Sequence, residues 1–222
     1  MNKLVVAIDG PSGSGKSSVS KAVARHFNLQ YLDTGAMYRA LTWYCMEQQT
    51  DLTNPEAIIA AAEKFPLHQG TSPDEESIVV GETDVAEAIR EPGISGSVSA
   101  VASVPRVREI LIQMQRDAIA AAPRGMVAEG RDITTVVAPD ADARVLLTAS
   151  EEVRMARRGL QLGGTQSSSD LQKQVVQRDA KDSKVNNFTE AAEGVALVDS
   201  SDLDFDQTIA AVIAAVEKQI NS

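Results

Sequence analysis

The stretch KLVVAIDGPSGSGKS, residues Lys3–Ser17, joins a short apolar run to a glycine-rich turn that ends in lysine and serine. The run KLVVAID is rich in β-branched residues and predicts a buried parallel strand. The turn Gly10–Ser17 matches G-x-x-x-x-G-K-[ST] in full, and Lys16–Phe27 then has the periodicity of a helix. Strand, loop and helix in this order are the context that a phosphate-binding loop requires. The stretch therefore predicts an α/β fold whose first loop binds phosphate groups.

Each part of the loop has a separate physical reason to bind a triphosphate. Its glycines let the backbone approach phosphate oxygens, and its N–H groups and the helix N-terminus face the anion. Lys16 is expected to reach the β- and γ-phosphates, and Ser17 to offer its hydroxyl to Mg²⁺, with Ser18 as a second candidate. A guanine-reading N/T-K-x-D element is absent from the sequence, which disfavours a switch GTPase. The residues expected to hold the triphosphate are Gly10, Pro11, Ser12, Gly13, Ser14, Gly15, Lys16, Ser17 and Ser18.

The rest of the chain alternates between strand and helix patterns. Core strands are predicted at Gln30–Leu32, Gly125–Glu129, Ala143–Leu147 and Val195–Val198, which indicates a parallel sheet covered by helices on both faces. The predicted helices lie at about 35–49, 55–64, 95–103, 105–121, 151–162, 170–181 and 206–219.

One segment departs from this alternation. Between Pro66 and Pro92 turn residues dominate, and Ser77–Val80 with Thr83–Val85 is typical of a hairpin. We expect one kinase domain over 1–222, with a small β-containing insertion at about 66–104 and a mobile lid at about 154–182.

Composition excludes several classes of function. The net charge of −10 disfavours a large nucleic-acid interface, although 13 of the 21 basic residues are arginine. The apolar run Leu4–Ile8 is too short for a signal peptide or a membrane span. A single cysteine, Cys45, excludes an internal disulfide framework. We expect a cytoplasmic protein that binds neither nucleic acid nor membrane, and a monomer.

Three further segments place arginines and carboxylates around the predicted sheet. They are Leu32–Arg39 (LDTGAMYR), Pro105–Arg108 (PRVR) and Glu129–Asp132 (EGRD). The last follows a strand, and ligands collect at the carboxyl ends of strands in open α/β sheets. Together with the phosphate loop, these segments resemble the cytidylate kinase branch of the nucleoside monophosphate kinases, over about Leu4–Ser200.

The resemblance implies a P-loop kinase fold with a monophosphate-binding insertion and a lid. It also implies ATP with Mg²⁺ as the phosphoryl donor, and CMP or dCMP as the acceptor. Residues that match holders of the acceptor's phosphate are Arg39, Arg90 and Arg131. Those that match positions around the cytosine ring are Thr34, Ser99, Arg108 and Asp132, and those near the pentose are Arg178 and Asp182. Three arginines match positions near the lid: Arg154, Arg157 and Arg158. Arg154 is expected to bind ATP. Arg157 and Arg158 are expected to act in catalysis, together with Lys16 and Arg131. Glu129 is expected beside the metal with Ser17.

Other interpretations of these residues remain open. Arg178 and Asp182, like Arg154 and Arg158, are four residues apart, so ion pairs or a charged helix surface would also explain them. The family often has arginine where Val185 stands here. The acceptor could instead be UMP, AMP or a small alcohol, or the chain could be a regulatory nucleotide-binding switch. A phosphate monoester is mainly a dianion at neutral pH, so the proposed reaction needs no general base.

Overall fold

The computed structural model describes residues 3–161 and 190–221, and its larger sheet has five parallel strands. These strands are β1 Leu4–Asp9, β2 Gln30–Asp33, β6 Gly125–Gly130, β7 Ala143–Thr148 and β8 Ala196–Asp199. Their order across the sheet is β2-β6-β1-β7-β8. A smaller antiparallel sheet contains β3 Leu67–Gln69, β4 Ile78–Val80 and β5 Thr83–Asp84.

Helices cover both faces of the parallel sheet. Alternate side chains of β1 enter different cores, since Val6 and Ile8 pack on one face and Ala7 on the other. Seven α-helices lie in the described ranges: α1 Lys16–Phe27, α2 Thr34–Glu47, α3 Pro55–Ala62, α4 Pro92–Ala102, α5 Pro105–Ala121, α6 Glu151–Gln161 and α7 Phe205–Ile220. Helices α1 and α7 contribute to the first core, while α2 and α5 contribute to the second. The predicted α/β architecture is confirmed.

Strand register brings three sequence segments to one edge of the sheet. Ile8 of β1 is paired with Glu129 of β6, and Asp33 of β2 is paired with the same Glu129. The loop that follows Asp9 therefore starts beside the end of β6. The carboxyl ends of parallel strands meet at the same edge, so this alignment gathers polar residues from distant parts of the chain.

The smaller sheet packs on its own core. The predicted hairpin is present, and β3, which was not predicted, extends it to three strands. Ile78 and Val80 of β4 pack in a cluster with Ile58 of α3 and Leu111 of α5. This packing joins the small sheet firmly to the helices of the second face.

Several predicted boundaries differ from the structure for identifiable reasons. Helix α4 begins at Pro92, where proline suits a first turn, and not at Ser95. Gly93 and Gly96 lower helix propensity, but burial of apolar residues farther along α4 outweighs this cost. A π-helical turn at Ile133–Val137 was not predicted. The predicted helix at about 170–181 and most of the predicted lid at about 154–182 lie outside the described residues. Within the described ranges, none of the helices combines the length and apolarity needed to cross a membrane.

Two leucines offer a matched test of the packing. Leu111 is fully buried in the core of the small sheet, whereas 59% of Leu197 on β8 is exposed. Leu111→Ala should lower the free energy of unfolding by about 2–5 kcal/mol, because it removes buried methyl groups and leaves a cavity. Leu197→Ala should change it by less than about 0.5 kcal/mol. Urea titrations followed by circular dichroism would measure both, and equal losses would contradict this packing.

Candidate active site

A cavity of about 880 Å³ opens at the carboxyl ends of β1, β2 and β6. The structure brings most of the predicted site residues together in its wall. These are Ser12, Gly13, Ser14, Gly15, Lys16, Ser17, Ser18, Thr34, Arg39, Arg90, Ser99, Arg108, Glu129, Arg131, Asp132, Arg157 and Arg158. The predicted residues Gly10, Pro11 and Arg154 are described but do not form part of the wall. Arg178 and Asp182, and the departure at Val185, lie outside the described residues.

The phosphate loop depends on two glycines with left-handed backbone conformations. Gly13 has φ +78° and Gly15 has φ +87°. A Cβ added at Gly13 would lie 2.5 Å from the carbonyl oxygen of Arg154, so only glycine fits between the loop and α6. Gly15 is the N-cap of α1 and supplies no capping side chain. The N-terminus of α1 therefore has no capping side chain, an arrangement that suits an anion-binding site.

Glu129, a buried residue of β6, lines the cavity. Ser17 Oγ donates a hydrogen bond to Glu129 Oε1 at 2.5 Å, and Tyr31 Oη donates to the same oxygen at 3.1 Å. Lys16 Nζ lies 3.8 Å from Glu129 Oε2. Burial raises the pKa of Glu129 and the nearby Asp33 charge adds to this, while Lys16 opposes both. The loop and the end of β6 thus share one buried polar cluster.

Asp33 supports the neighbouring arginine and was not among the predicted site residues. Its side chain caps α2 by accepting from Ala36 N at 2.8 Å, and Arg39 Nη2 donates to its other oxygen at 3.0 Å. Burial disfavours the charged form of Asp33, but Arg39, the Ala36 hydrogen bond and Lys16 outweigh this and lower its pKa. The sequence signal was available, because aspartate directly before a helical pattern is a common N-cap.

A third ion pair, Arg108 with Asp132, contributes to the part of the cavity lining that is here called the far wall. Arg108 at the start of α5 donates to Asp132, which follows β6, and both side chains are largely buried. Tyr38 of α2 lies near the pair, and burial together with the charge of Asp132 raises the pKa of Tyr38 to about 12. Thr34 Oγ1 donates to the carbonyl oxygen of Glu129 at 2.8 Å, and Ser99 faces the same cavity from α4.

Three guanidinium groups of the cavity lining, those of Arg39, Arg90 and Arg158, lie close enough to interact electrostatically. Burial lowers the pKa of Arg158, and the positive charges of Arg39 and Arg90 lower it further. Arg131 Nη2 donates to Ser12 Oγ of the phosphate loop at 2.6 Å. Arg90 Nη2 donates to both carboxylate oxygens of Glu76, at 2.5 and 2.6 Å. Such a concentration of positive charge is suited to an anionic ligand beside the phosphate loop.

Helix α6 holds the outer side of the phosphate loop. Arg154 Nη1 donates to the carbonyl oxygen of Ser12 at 2.9 Å. Arg157 Nη1 donates to the Ser14 carbonyl at 3.2 Å and to Ser200 Oγ at 2.9 Å, and Arg157 Nη2 donates to carbonyl oxygens of the segment before α7. In this conformation Arg154 and Arg157 brace the loop. Their predicted contacts with ATP stay predictions.

Part of the cavity was missed by sequence reasoning. The segment before α7 and its first turn contribute Leu203, Asp204, Phe205 and Thr208 to the wall, next to the loop. Phe205 is 54% exposed, which leaves an apolar surface beside the phosphate site. Neither a motif nor a periodicity marks these residues, because their position depends on how the last strand and helix pack.

Asp9 connects β1, the strand that precedes the phosphate loop, to the segment that follows Arg131 and Asp132. It is buried at the end of β1, where it accepts from Ile133 N at 2.9 Å, Thr134 N at 2.8 Å and Thr134 Oγ1 at 2.6 Å. Burial raises the pKa of Asp9 to about 6, although these hydrogen bonds oppose the shift. The π-helical turn is thereby fixed to the strand that precedes the phosphate loop.

These observations define a class of protein. A phosphate loop faces a second cationic site across one cavity, in a parallel α/β fold, and this is the arrangement of a P-loop kinase. The chain belongs to the cytidylate kinase family, whose family model matches residues 6–218.

Individual relatives agree with this assignment. The chain is 47% identical to a cytidylate kinase of Streptomyces avermitilis, covering 97% of this chain and 94% of that one. It is also 47% identical to a cytidylate kinase of Cutibacterium acnes, covering 96% of each. A solved shikimate kinase from Bacteroides thetaiotaomicron is similar in fold, with a TM-score of 0.51 at 14% identity over 99% of both chains.

The buried Asp9 predicts a pH-dependent stability. Its pKa is about 6 in the folded protein, against an ordinary 3.8, so the folded state binds its proton more tightly than the unfolded state. This contribution is present in full below pH 4 and is lost as the pH rises through about 6. Relative to Asp9→Asn, the wild-type free energy of unfolding should fall by about 3 kcal/mol between pH 3.5 and 7. Urea titrations across this range would measure the difference, and parallel pH profiles would contradict it.

Proposed function

We propose that this protein transfers the γ-phosphoryl group of ATP to CMP or dCMP, releasing ADP and CDP or dCDP. The observation that carries the proposal is the shared cavity, in which the phosphate loop faces Arg39, Arg90 and Arg131. The Arg108–Asp132 pair lies in the same cavity and supplies groups that can read a base. The curated relatives, which are named cytidylate kinases and match nearly the whole chain, support the same acceptor.

The donor triphosphate is assigned to the loop 10–18. Backbone N–H groups around Gly13 and Gly15 and the N-terminus of α1 would hold phosphate oxygens, and Lys16 would reach the β- and γ-phosphates. Phe205 and Leu203, next to the loop, offer an apolar surface for the adenine ring. Arg154, Arg157 and Arg158 would contact the triphosphate once the proposed lid, about 154–182, closes over it.

The residues beside the loop fit a magnesium ion. Ser17 Oγ and Glu129 Oε1 are only 2.5 Å apart, which places two hard oxygen donors at one point next to the γ-phosphate site. The described residues hold no group of three acidic, histidine or cysteine side chains that could bind a metal alone. Magnesium commonly takes one or two protein oxygens and completes its shell with phosphate oxygens and water. When bound, it would neutralise charge on the triphosphate.

The acceptor needs positive charge more than it needs a base. Its phosphate is mainly a dianion at neutral pH and is already a nucleophile. Two like unit charges about 4 Å apart repel by about 4 kcal/mol at an effective dielectric near 20, so several such pairs would slow the reaction greatly. Lys16 and the guanidinium groups of Arg39, Arg90 and Arg131 would offset this repulsion and hold both phosphates in line.

Base selection is assigned to the far wall. Arg108, Asp132, Ser99 and Thr34 present both donors and acceptors to a ring that lies against them. Uracil exchanges the amino group of cytosine for a carbonyl, so one of these buried groups would lose its partner. An unpaired buried polar group costs about 1–3 kcal/mol, which is a sufficient basis for preferring cytosine.

Several finer features belong to the same proposal. The segment 66–104 would form the acceptor-binding insertion, and Arg178 with Asp182 would lie near the pentose. Closure of the lid would keep water from accepting the phosphoryl group. We also propose that the protein acts as a monomer in the cytoplasm, where its nucleotide substrates are found.

An acceptor panel tests the proposed reaction directly. ADP release, followed by a coupled assay with ATP and Mg²⁺, should be fast with CMP and dCMP and slower with UMP, AMP or small alcohols. ATP turnover that no monophosphate stimulates would favour a regulatory nucleotide-binding protein instead. Preference for a different acceptor would keep the kinase class and overturn the assignment of cytosine.

Replacing one carboxylate should separate the acceptor from the donor. Asp132→Ala should raise KM for CMP by about 10-fold or more, because Arg108 loses its partner and the base loses an acceptor group. KM for ATP should change by less than about twofold. Asp117→Ala is the matched control, since Asp117 lies exposed on α5 and pairs only with Gln113 among the described residues. Equal losses for both substrates would reject the base-reading role of Asp132.

A further inference from the structure

The segment Thr71–Glu76, here called the strap, crosses from the small sheet to the phosphate-loop helix. At its start, Tyr31 N donates to the carbonyl oxygen of Thr71 at 2.9 Å, and Gln30 Nε2 donates to Thr71 Oγ1 at 2.6 Å. These bonds fix the beginning of the strap to β2. The connection between β3 and β4 is therefore tied to the parallel sheet at its start, and Glu76 at its end lines the cavity.

Two ion pairs fix the strap to α1. Arg25 Nε donates to Asp74 Oδ1 at 2.6 Å, and Lys21 Nζ lies 3.7 Å from Glu76 Oε2. Lys21 and Arg25 are four residues apart and so lie on one face of the helix. Because α1 begins at Lys16, the strap has a defined position relative to the phosphate loop.

Glu76 connects the strap to Arg90. Both oxygens of Glu76 accept from Arg90 Nη2, while Arg90 Nε donates to the carbonyl oxygen of Ala86 at 3.2 Å. Two of the three nitrogens of the guanidinium group are thus held. Among the described residues Arg90 Nη1 makes no hydrogen bond, and the side chain lines the cavity. One donor nitrogen remains for a phosphate group.

We propose that Glu76 is a positioning residue for the acceptor: it links Lys21 of α1 to Arg90 and so presents Arg90 Nη1 to the acceptor's phosphate at a fixed place relative to the phosphate loop. This rests on the assignment of Arg90 to that phosphate under the proposed function. The Arg90 side chain is 51% exposed, so its long stem would otherwise sample several rotamers. Glu76 removes that freedom before the acceptor binds.

The first measurement is steady-state kinetics of Glu76→Gln. KM for CMP should rise about 3- to 10-fold, the size expected for ordering one long side chain on binding. KM for ATP and kcat should each change by less than about twofold. Glu75→Gln is the matched control, because Glu75 is exposed, carries the same charge and makes no ion pair with another described residue. It should leave both KM values unchanged, and thermal melting would establish that both variants fold.

A double-mutant cycle identifies Arg90 as the residue through which Glu76 acts. Arg90→Gln should raise KM for CMP, and Arg90→Gln with Glu76→Gln should give the same KM as Arg90→Gln alone. A general effect of charge at Glu76 would add to the effect of Arg90→Gln. The Glu76 pairs are partly exposed and screened by salt, so added salt should raise KM for CMP more steeply in the wild type than in Glu76→Gln.

Failure of this proposal is distinguishable from failure of the proposed function. An unchanged or lower KM for CMP in Glu76→Gln, or additive effects in the cycle, would overturn the positioning role while wild-type turnover of CMP stood. An Arg90→Gln variant with unchanged KM for CMP would overturn the role of Arg90 and this proposal together. The ADP-release assay with the acceptor panel tests the proposed reaction separately.

Discussion

The site depends on holding several positive charges close together before any phosphate arrives. Among the cations that line one cavity, an ammonium group and three guanidinium groups each lie against a different carboxylate of the protein. The pairs are Lys16 with Glu129, Arg39 with Asp33, Arg90 with Glu76, and Arg108 with Asp132. Carboxylates at these positions offset the mutual repulsion of the cations and fix their orientation. A guanidinium group has five N–H donors, so a paired arginine can still bind a phosphate oxygen or a base.

Strand register determines where these pairs form. Asp33 and Glu129 lie opposite each other at the ends of neighbouring parallel strands, and Asp9 ends the next strand across. Their environments then distinguish them. Burial outweighs the attraction of Lys16 and raises the pKa of Glu129, whereas Arg39 and the cap of α2 together outweigh burial and lower the pKa of Asp33. One edge of the parallel sheet thus places beside the loop two carboxyl groups whose pKa values are shifted in opposite directions.

Sequence reasoning predicted the features that local pattern controls. The strand, glycine turn and helix at residues 3–27 carry a periodicity and a motif, and EGRD follows a buried run, so the fold and the cationic wall could be predicted. Glu76 could not be assigned in the same way, because the fold brings its partners Lys21 and Arg90 near it. Asp33 was missed although it carries the local signal of an N-cap. Glu76 stands in an acidic turn that is typical of a solvated loop. Motifs therefore identified the cations and the carboxylates Glu129 and Asp132, while the role of Glu76 required tertiary structure.

In-line transfer between two bound phosphates tolerates little error in their separation, since a misplacement of about 1 Å can cost two orders of magnitude in rate. In this protein the separation is set in the core. Asp9 ends the strand that begins the phosphate loop, and it accepts from the backbone of Ile133 and Thr134, next to Arg131 and Asp132. Backbone hydrogen bonds to a buried carboxylate are stiffer than contacts between long exposed side chains. The insertion is joined to α1, and so to the phosphate loop, by the more exposed ion pairs of the strap with Lys21 and Arg25. The phosphate loop and the proposed base-reading wall therefore share a rigid connection, whereas the proposed site for the acceptor's phosphate includes a more adjustable one.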